Sequence, residues 1–370
     1  MRRRTRIFGF LLAVPLLALV ALALVLSHDA ACEAPAAAPT GAPTMQAARY
    51  ACYGDTDALL LARVARPEPA DNELLVRVHA AGLNPLDWHY LKGEPRIMRL
   101  ASGIGRQSNA LVGVDFAGTV QAVGREVTRF RPGDRVFGLR SGAFAEYLAV
   151  REDRVVATIP EGLGFDEAAA VPVAAFTALQ ALRDAGAVGP GTRVLINGAS
   201  GGVGTYAVQI AKALGAEVSG VSSGRNTALV LSLGADHAID YTREDFTRSG
   251  KRYDVIVDNV GNLPLRAYRR ALESDGILVM VTGPKRDRWL GPVARVLWSM
   301  LSSPFVSQTQ VSLLSEPNPE DLGILRGMLE AGTLRSAIDR RFALDEVPQA
   351  IEYLQLGRTR GKNVIVVVPD

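Results

Sequence analysis

The stretch VLINGASGGVGTYAVQIAKALGAEVSGVSS, from Val194 to Ser223, constrains the chain more than any other. Val194 to Ile196 is an apolar run with the character of a buried strand. A turn follows that is rich in glycine, at Gly198, Gly201, Gly202 and Gly204. The apolar period then changes to that of a helix, at Val203, Ala207, Ile210, Ala211 and Leu214. Gly215 stands where a left-handed helix cap is cheapest, and Val218 to Val221 forms a second apolar strand. Glycines alone are explained by an ordinary strand–helix turn. The full order of strand, glycine turn, helix and strand points instead to a βαβ unit that holds a dinucleotide. Its glycines let the backbone approach a pyrophosphate, and the helix N-terminus faces the negative charge.

The chain has 370 residues, enough for two domains, with 48% hydrophobic and 21% charged residues, as in globular proteins. A net charge of +3 without basic–aromatic runs argues against nucleic acid. Cys32 and Cys52 suggest neither a disulfide framework nor a metal cluster. His28, His79, His89 and His237 lack metal-ligand spacing and read as structural or surface residues.

Arg2, Arg3, Arg4 and Arg6 precede an apolar run from Ile7 to Leu26. Twenty helical residues span about 30 Å, the thickness of a bilayer core. The run reads as a signal anchor or a long signal peptide, and a single membrane span over residues 7–26 is expected. Cys32 is a poor lipid-attachment site, because Asp29 stands where an aliphatic residue is wanted. Positive flanking charge sends everything after Leu26 across the membrane, away from a reduced nicotinamide pool. Three resolutions stand open: reversed orientation, export with the cofactor bound, or translation from Met45, which gives a cytoplasmic protein. The Arg3-Arg4 pair hints at a twin-arginine signal, although Arg6 occupies an apolar position of that motif. Residues 33–44 are an Ala/Pro-rich linker.

From Met45 to about Val150 short strands alternate with turns, as in Leu74–Val78, Gly113–Val120, Arg131–Val136 and Ala143–Val150. Asp166 to Ala185 has a helical pattern. Strands and helices then alternate to about Ser315, which predicts a doubly wound parallel sheet. Ile324–Ala331 and Val347–Leu356 read as helices and Asn363–Val368 as a last strand. The expected domains are 45–165 with 316–370, and 166–315.

The ordered motifs are AAGLNPLDWHYLKG from Ala80, VGVDFAGTVQAVG from Val112, RPGDRVFG from Arg131 and GAFAEYLAV from Gly142. They continue with AAAVPVAAFTALQAL from Ala168, GADHAIDY from Gly234, DVIVDNVGN from Asp254 and GKNVIVVV from Gly361. With the glycine turn, these resemble the zinc-independent quinone-oxidoreductase branch of the medium-chain dehydrogenase/reductase superfamily. NPLDWHYLKG and the SSGRN stretch at Ser222 are most similar to its chloroplast-envelope members. The resemblance implies an α/β fold, in which a GroES-like β-rich domain carries an inserted Rossmann domain. It also implies hydride transfer from NADPH to an enal, an enone or a quinone.

Zinc-dependent members of the superfamily carry Cys or His ligands where this chain has Asn84, and a His motif where it has Gly113-Val114-Asp115. Catalytic zinc needs three protein ligands, so no metal is expected. Asn84 is expected either to contact the substrate or nicotinamide through its amide donors or to stabilise its loop in an Asx role, and Tyr90 reads as a packed aromatic, with a proton donor as the alternative. Asp87 and Trp88 read as fixing the turn after Pro85. The glycine turn supplies Ala199, Ser200, Gly201, Gly202, Val203 and Gly204. At the end of the second strand an NAD enzyme carries an acidic residue, but here stand Ser222, Ser223 and Arg225, suited to a 2′-phosphate. The resemblance adds Tyr241 near the adenine ribose, and Thr177, Asn259, Val260, Thr282 and Gly283 near the nicotinamide. Lys362 and Asn363 are expected to close over the cofactor.

Between Lys285 and Phe305, the residues Trp289, Leu290, Val293, Leu297, Trp298 and Leu301 form an apolar stripe edged by Lys285, Arg286, Arg288 and Arg295. A dimer interface or a substrate lid is the expected use, with a membrane-surface contact as the alternative. The functional alternatives to a reductase are a non-catalytic NADPH-binding protein and a membrane-tethered partner-binding protein.

Overall fold

A computed structural model describes residues 17–32, 41–108, 110–282, 287–302 and 306–368. It opens on a helix over residues 17–27, here α1. At 1.5 Å per residue the described part of α1 spans about 16 Å, against the ~30 Å of a bilayer core. No helix among the described residues is long and apolar enough to cross a membrane. The expected span over residues 7–26, and the membrane localisation built on it, are therefore corrected. Residues 7–16 lie outside the described residues, and the end of the run is docked on the protein itself. Leu26 is buried, and Arg99 donates from Nη1 to its carbonyl at 2.9 Å while pairing with Asp29 at 2.7 Å. The cysteines are a second correction: Cys32 and Cys52 form a disulfide that fastens this segment to the β-domain.

The β-domain follows. Strands β1 (Thr44–Tyr50) and β2 (Leu59–Ala65) pair as an antiparallel ribbon. Strand β3 (Glu73–Leu83) leads into helix α2 (Pro85–Lys92), and α3 (Arg99–Ser102) follows a short turn. Strands β4 (Asp115–Val123), β5 (Arg135–Leu139), β6 (Tyr147–Arg151) and β7 (Val156–Thr158) complete this part. Within the segment Arg131–Val136, Arg131–Asp134 is the tight turn and the strand starts at Arg135: Arg131 N–H donates to the Asp134 carboxylate and Gly133 takes φ +95°.

The expected helix over 166–185 is divided into α4 (Phe165–Ala169) and α5 (Pro172–Gln180). Pro172 has no N–H to continue a helix and pre-sets the first turn of the next. Their buried faces are mostly apolar, with Gln180 the buried polar residue at the end of α5. One core runs from Phe137 on β5 through Val171 and Phe176 to residues of the second domain, Ile196 and Tyr206 among them.

In that second domain β8 (Arg193–Asn197), α6 (Gly202–Ala213) and β9 (Glu217–Ser222) form the βαβ unit. Then come α7 (Thr227–Ser232), β10 (His237–Asp240), β11 (Tyr253–Asp258), α8 (Leu265–Ala271), β12 (Leu272–Met280), α9 (Pro292–Ser302) and β13 (Thr309–Ser312). The strands form a parallel sheet in the order β10-β9-β8-β11-β12-β13. The order reverses between β8 and β11, the switch point where ligands of such sheets bind. Helix α10 (Pro319–Glu330) leads back to the first domain, starting before the expected Ile324 because Asn318 caps it and Pro319 opens it. Strand β14 (Ile338–Ala343), helix α11 (Val347–Gln355) and strand β15 (Lys362–Val366) finish the chain, with β15 between β14 and β3. The fold is α/β, a GroES-like β-rich domain joined to a Rossmann-like parallel sheet.

Candidate active site

A cleft of about 2040 Å³ lies over the carboxyl ends of β8, β9, β11 and β12 and extends to the start of α2. Gly198 sits at φ +80°, and a side chain on Gly204 would collide with the Gly198 carbonyl oxygen. The turn therefore closes tightly only with glycine at these two places. Helix α6 starts at Gly202, so the N–H groups of its first turn have no partner within the helix and face the cleft. The returning chain covers this turn: Gly361 N–H donates to the Ser200 carbonyl at 2.8 Å. The Lys362 side chain runs past Gly202, its Cδ 3.3 Å from where a β-carbon on that glycine would sit.

The remaining expected residues divide by position. Ser200, Gly201, Gly202, Val203, Gly204, Ser222, Ser223, Arg225 and Tyr241 line the cleft. Ala199 is wholly buried behind them. Thr177, Asn259, Val260, Thr282, Lys362 and Asn363 line the same cleft. Gly283 lies outside the described residues. Asn226 donates to Ser200 Oγ at 3.0 Å, but its own Oδ1 is buried without a partner, as are Oδ1 of Asn259 and of Asn363. All three asparagines line the cleft. Unpartnered buried acceptors beside a glycine cradle fit a bound nicotinamide dinucleotide, whose amide and hydroxyl groups would satisfy them.

Asn84 is 2% exposed and caps α2, with its own N–H held by the Asp87 carboxylate at 2.8 Å. Its side-chain amide donates to the Gly82 carbonyl at 3.3 Å and to Asp115 Oδ2 at 2.9 Å. Its Oδ1 accepts from Lys362 Nζ at 2.5 Å, and the same ammonium lies 3.5 Å from Asp115 Oδ2. A lysine has only donors, so Asn84 must present its oxygen there and its N–H groups elsewhere. Both donors are spent within the protein, an arrangement that fits the loop-stabilising alternative. Tyr90 does not line the cleft, and its ring packs on the β-domain core, as a packed aromatic would. Helix α2 turns Trp88 and His89 to the cleft and Tyr90 away from it.

Asp115, Asp87 and Lys362 are all buried in this network. Burial pushes Asp87 up to about 7, against the hydrogen bond from Asn84 and the pull of Lys362. Burial also raises Asp115 and lowers Lys362, and each charge opposes the shift of the other. Desolvation thus works against all three charges, and their mutual attraction holds them.

Sequence reasoning overlooked three groups. Asp115, noted only for replacing a histidine motif, orients Asn84 and Lys362. Asp240 pairs in register with Ser222, and its carboxylate is held by Thr242 Oγ1 at 2.8 Å and Thr242 N–H at 3.0 Å, which keeps it below the usual carboxylate range. It stands beside Gly224 but does not line the cleft. Asp258, at the end of β11, accepts from Asn197 at 2.9 Å and from the N–H groups of Val260 and Gly261, both at 3.1 Å. No local pattern marks these three; register and tertiary packing bring them to the site.

Among the described residues no group of three or more His, Cys, Asp or Glu side chains is placed to hold a metal ion. A model of the alcohol dehydrogenase GroES-like domain matches residues 70–161, and one described as zinc-binding dehydrogenase matches residues 233–365. The chain is similar to the chloroplastic quinone-oxidoreductase homologue of Spinacia oleracea, 35% identical over 338 residues, covering 88% of this chain and 99% of that protein. It is 34% identical over 340 residues to the 2-methylene-furan-3-one reductase of Solanum lycopersicum, with 88% and 80% covered. The solved quinone oxidoreductase of Coxiella burnetii superposes with a TM-score of 0.75 at 32% identity, over 88% of this chain and 100% of that one. The chain belongs to the medium-chain dehydrogenase/reductase family, among its quinone-oxidoreductase homologues.

Proposed function

We propose that the protein is an NADPH-dependent reductase that transfers hydride to an α,β-unsaturated carbonyl compound or a quinone, without zinc. The observation that carries this reading is the cleft. Its glycine turn and its unpartnered acceptors on Asn226, Asn259 and Asn363 suit a dinucleotide, and it continues beyond them toward Trp88, His89 and Met98, with space for an apolar acceptor. The names of the relatives, quinone-oxidoreductase homologue and 2-methylene-furan-3-one reductase, support the same acceptor class. When bound, NADPH supplies the hydride.

The protein's residues bind and orient. N–H groups at the start of α6 hold the pyrophosphate. Ser222, Ser223 and Arg225 take the 2′-phosphate, with Tyr241 beside the adenosine. Arg225 is anchored at 3.4 Å to the Arg358 carbonyl, and Asp240 is turned away toward Thr242. Thr177, Asn259, Val260 and Thr282 flank the nicotinamide and its ribose, while Lys362 and Asn363 shut the cleft from β15 and exclude water. Zinc independence rests on the donor set: the Asn84 oxygen is engaged by an ammonium, not directed at a cation site. Protonation at the α-carbon falls to water. The test is NADPH and NADH oxidation against a panel of enals, enones and quinones. Turnover with NADPH well above NADH is expected. No turnover with any acceptor refutes the reductase, and equal use of both cofactors refutes the 2′-phosphate site.

A further inference from the structure

Helix α9 is amphipathic in the reverse sense. Trp298, Met300 and Leu301 on its outer face are more than 60% exposed, while its arginine, Arg295, is turned inward and is only 9% exposed. Burying a guanidinium is unfavourable unless it is paired, and exposing large apolar residues gains nothing in return. Arg295 Nη1 pairs with Asp258 Oδ2 at 2.7 Å and donates to the Thr282 carbonyl at 3.3 Å. The guanidinium lies 5.4 Å over the Tyr268 ring. Its other arm, Nη2, is buried with no hydrogen-bond partner among the described residues, and Arg295 lines the cleft.

We infer that Arg295 is the substrate-binding donor of the site, with Nη2 receiving the carbonyl oxygen of an enone, enal or quinone. The inference rests on the reductase reading above. It supplies what Asn84 and Tyr90 do not: the amide donors of Asn84 are spent on Gly82 and Asp115, and Tyr90 is off the cleft. Arg295 is also well placed, being fixed to the ends of β11 and β12, beside the sheet switch point. Asp258 is the positioning residue, since Asn197 and two backbone N–H groups hold its other oxygen. For an enone, hydride adds to the β-carbon and the C=C electron pair moves to give an enolate. The enolate oxygen accepts from Nη2–H, and water then delivers a proton to the α-carbon, leaving hydroxide. Arginine keeps its proton throughout. Its contribution is a charged donor directed at the oxygen where negative charge grows.

The test compares wild type with Arg295→Lys and Arg295→Met. Arg295→Lys keeps a cation for Asp258 but has no second arm, so it remains informative if Arg295→Met fails to fold. With 2-cyclohexen-1-one as acceptor, Arg295→Lys is expected to lower kcat about 100-fold, in the range seen when one oxyanion donor is removed. The NADPH Kd from tryptophan fluorescence and Tm are expected to stay close to wild type. A kcat within threefold of wild type overturns the inference, as does a kcat loss matched by an equal loss of NADPH affinity, which marks a structural role. Wild-type turnover is measured first, so absence of any reductase activity is distinguished from a reductase that does not use Arg295.

Discussion

Replacing Lys362 by Met removes the cation that faces Asp115 and Asp87 in the network described above. The ammonium lies 2.5 Å from Asn84 Oδ1 and 3.5 Å from Asp115 Oδ2, in a site 3% exposed or less. Breaking a buried pair by deleting one partner costs about 3–5 kcal/mol, because the other charge is left uncompensated. For a chain of this size each kcal/mol lowers Tm by roughly 2 °C, so a fall of about 6–10 °C is expected at pH 8. The loss depends on pH. Asp87 binds its proton more tightly folded, at about 7, than unfolded, at 3.8. Between those values the folded state holds more protons, so stability is fully present below pH 4 and is lost as pH rises through 7. Lys362 opposes this shift in both aspartates. Without it their folded values rise further, and the variant loses more stability at pH 8 than at pH 5. Thermal unfolding by circular dichroism at the two pH values measures the difference. A Tm loss equal at both, or under 2 °C at pH 8, refutes the view that Lys362 neutralises the buried aspartates.

Other outcomes test separate links. Gly204→Ala puts a methyl group against the Gly198 carbonyl; it is expected to weaken NADPH binding at least 10-fold in fluorescence titration, and unchanged affinity contradicts the tight-turn argument. Arg225→Ala is expected to raise KM for NADPH about 10-fold and leave KM for NADH unchanged, since only the 2′-phosphate loses a charge-assisted partner; parallel changes refute that assignment. Cys32→Ser opens a cross-link between residues separated by 20 positions, a loop for which chain entropy gives about 3 kcal/mol. A lower Tm for the variant, reproduced in wild type by dithiothreitol, is the expected result; a Tm insensitive to both contradicts a stabilising disulfide.

The βαβ unit was legible because its signal is local. A change of apolar period and glycines at fixed spacing define β8, the turn and α6, and those elements appear within a residue or two of their expected limits. Pro172 was equally local, but the helical pattern of small apolar residues ran through it and hid the break between α4 and α5. The N-terminal run misled for a different reason. Hydropathy counts residues without asking what they touch, whereas Arg99 and the disulfide tie the end of that run to the β-domain. In the site, the sequence marked Asn84 and Lys362 by position and did not show their pairing. The role of Asn84 depends on which neighbours take its amide, and Asp115 reaches it only through the pairing of β3 with β4. Arg295 lay in a stripe whose apolar residues suggested burial of the opposite face. Only the tertiary fold shows that the charge faces in.

The account rests most directly on reduced nicotinamide oxidation by an electron-poor alkene or a quinone. Purified protein, NADPH or NADH, and a panel of such acceptors, followed by absorbance and by product analysis, give the measurement. The account predicts acceptor-dependent loss of NADPH with matching formation of the saturated carbonyl or hydroquinone, unaffected by chelators, and much slower loss of NADH. NADPH that binds but is not oxidised by any acceptor, or turnover abolished by a chelator and restored by zinc, contradicts it.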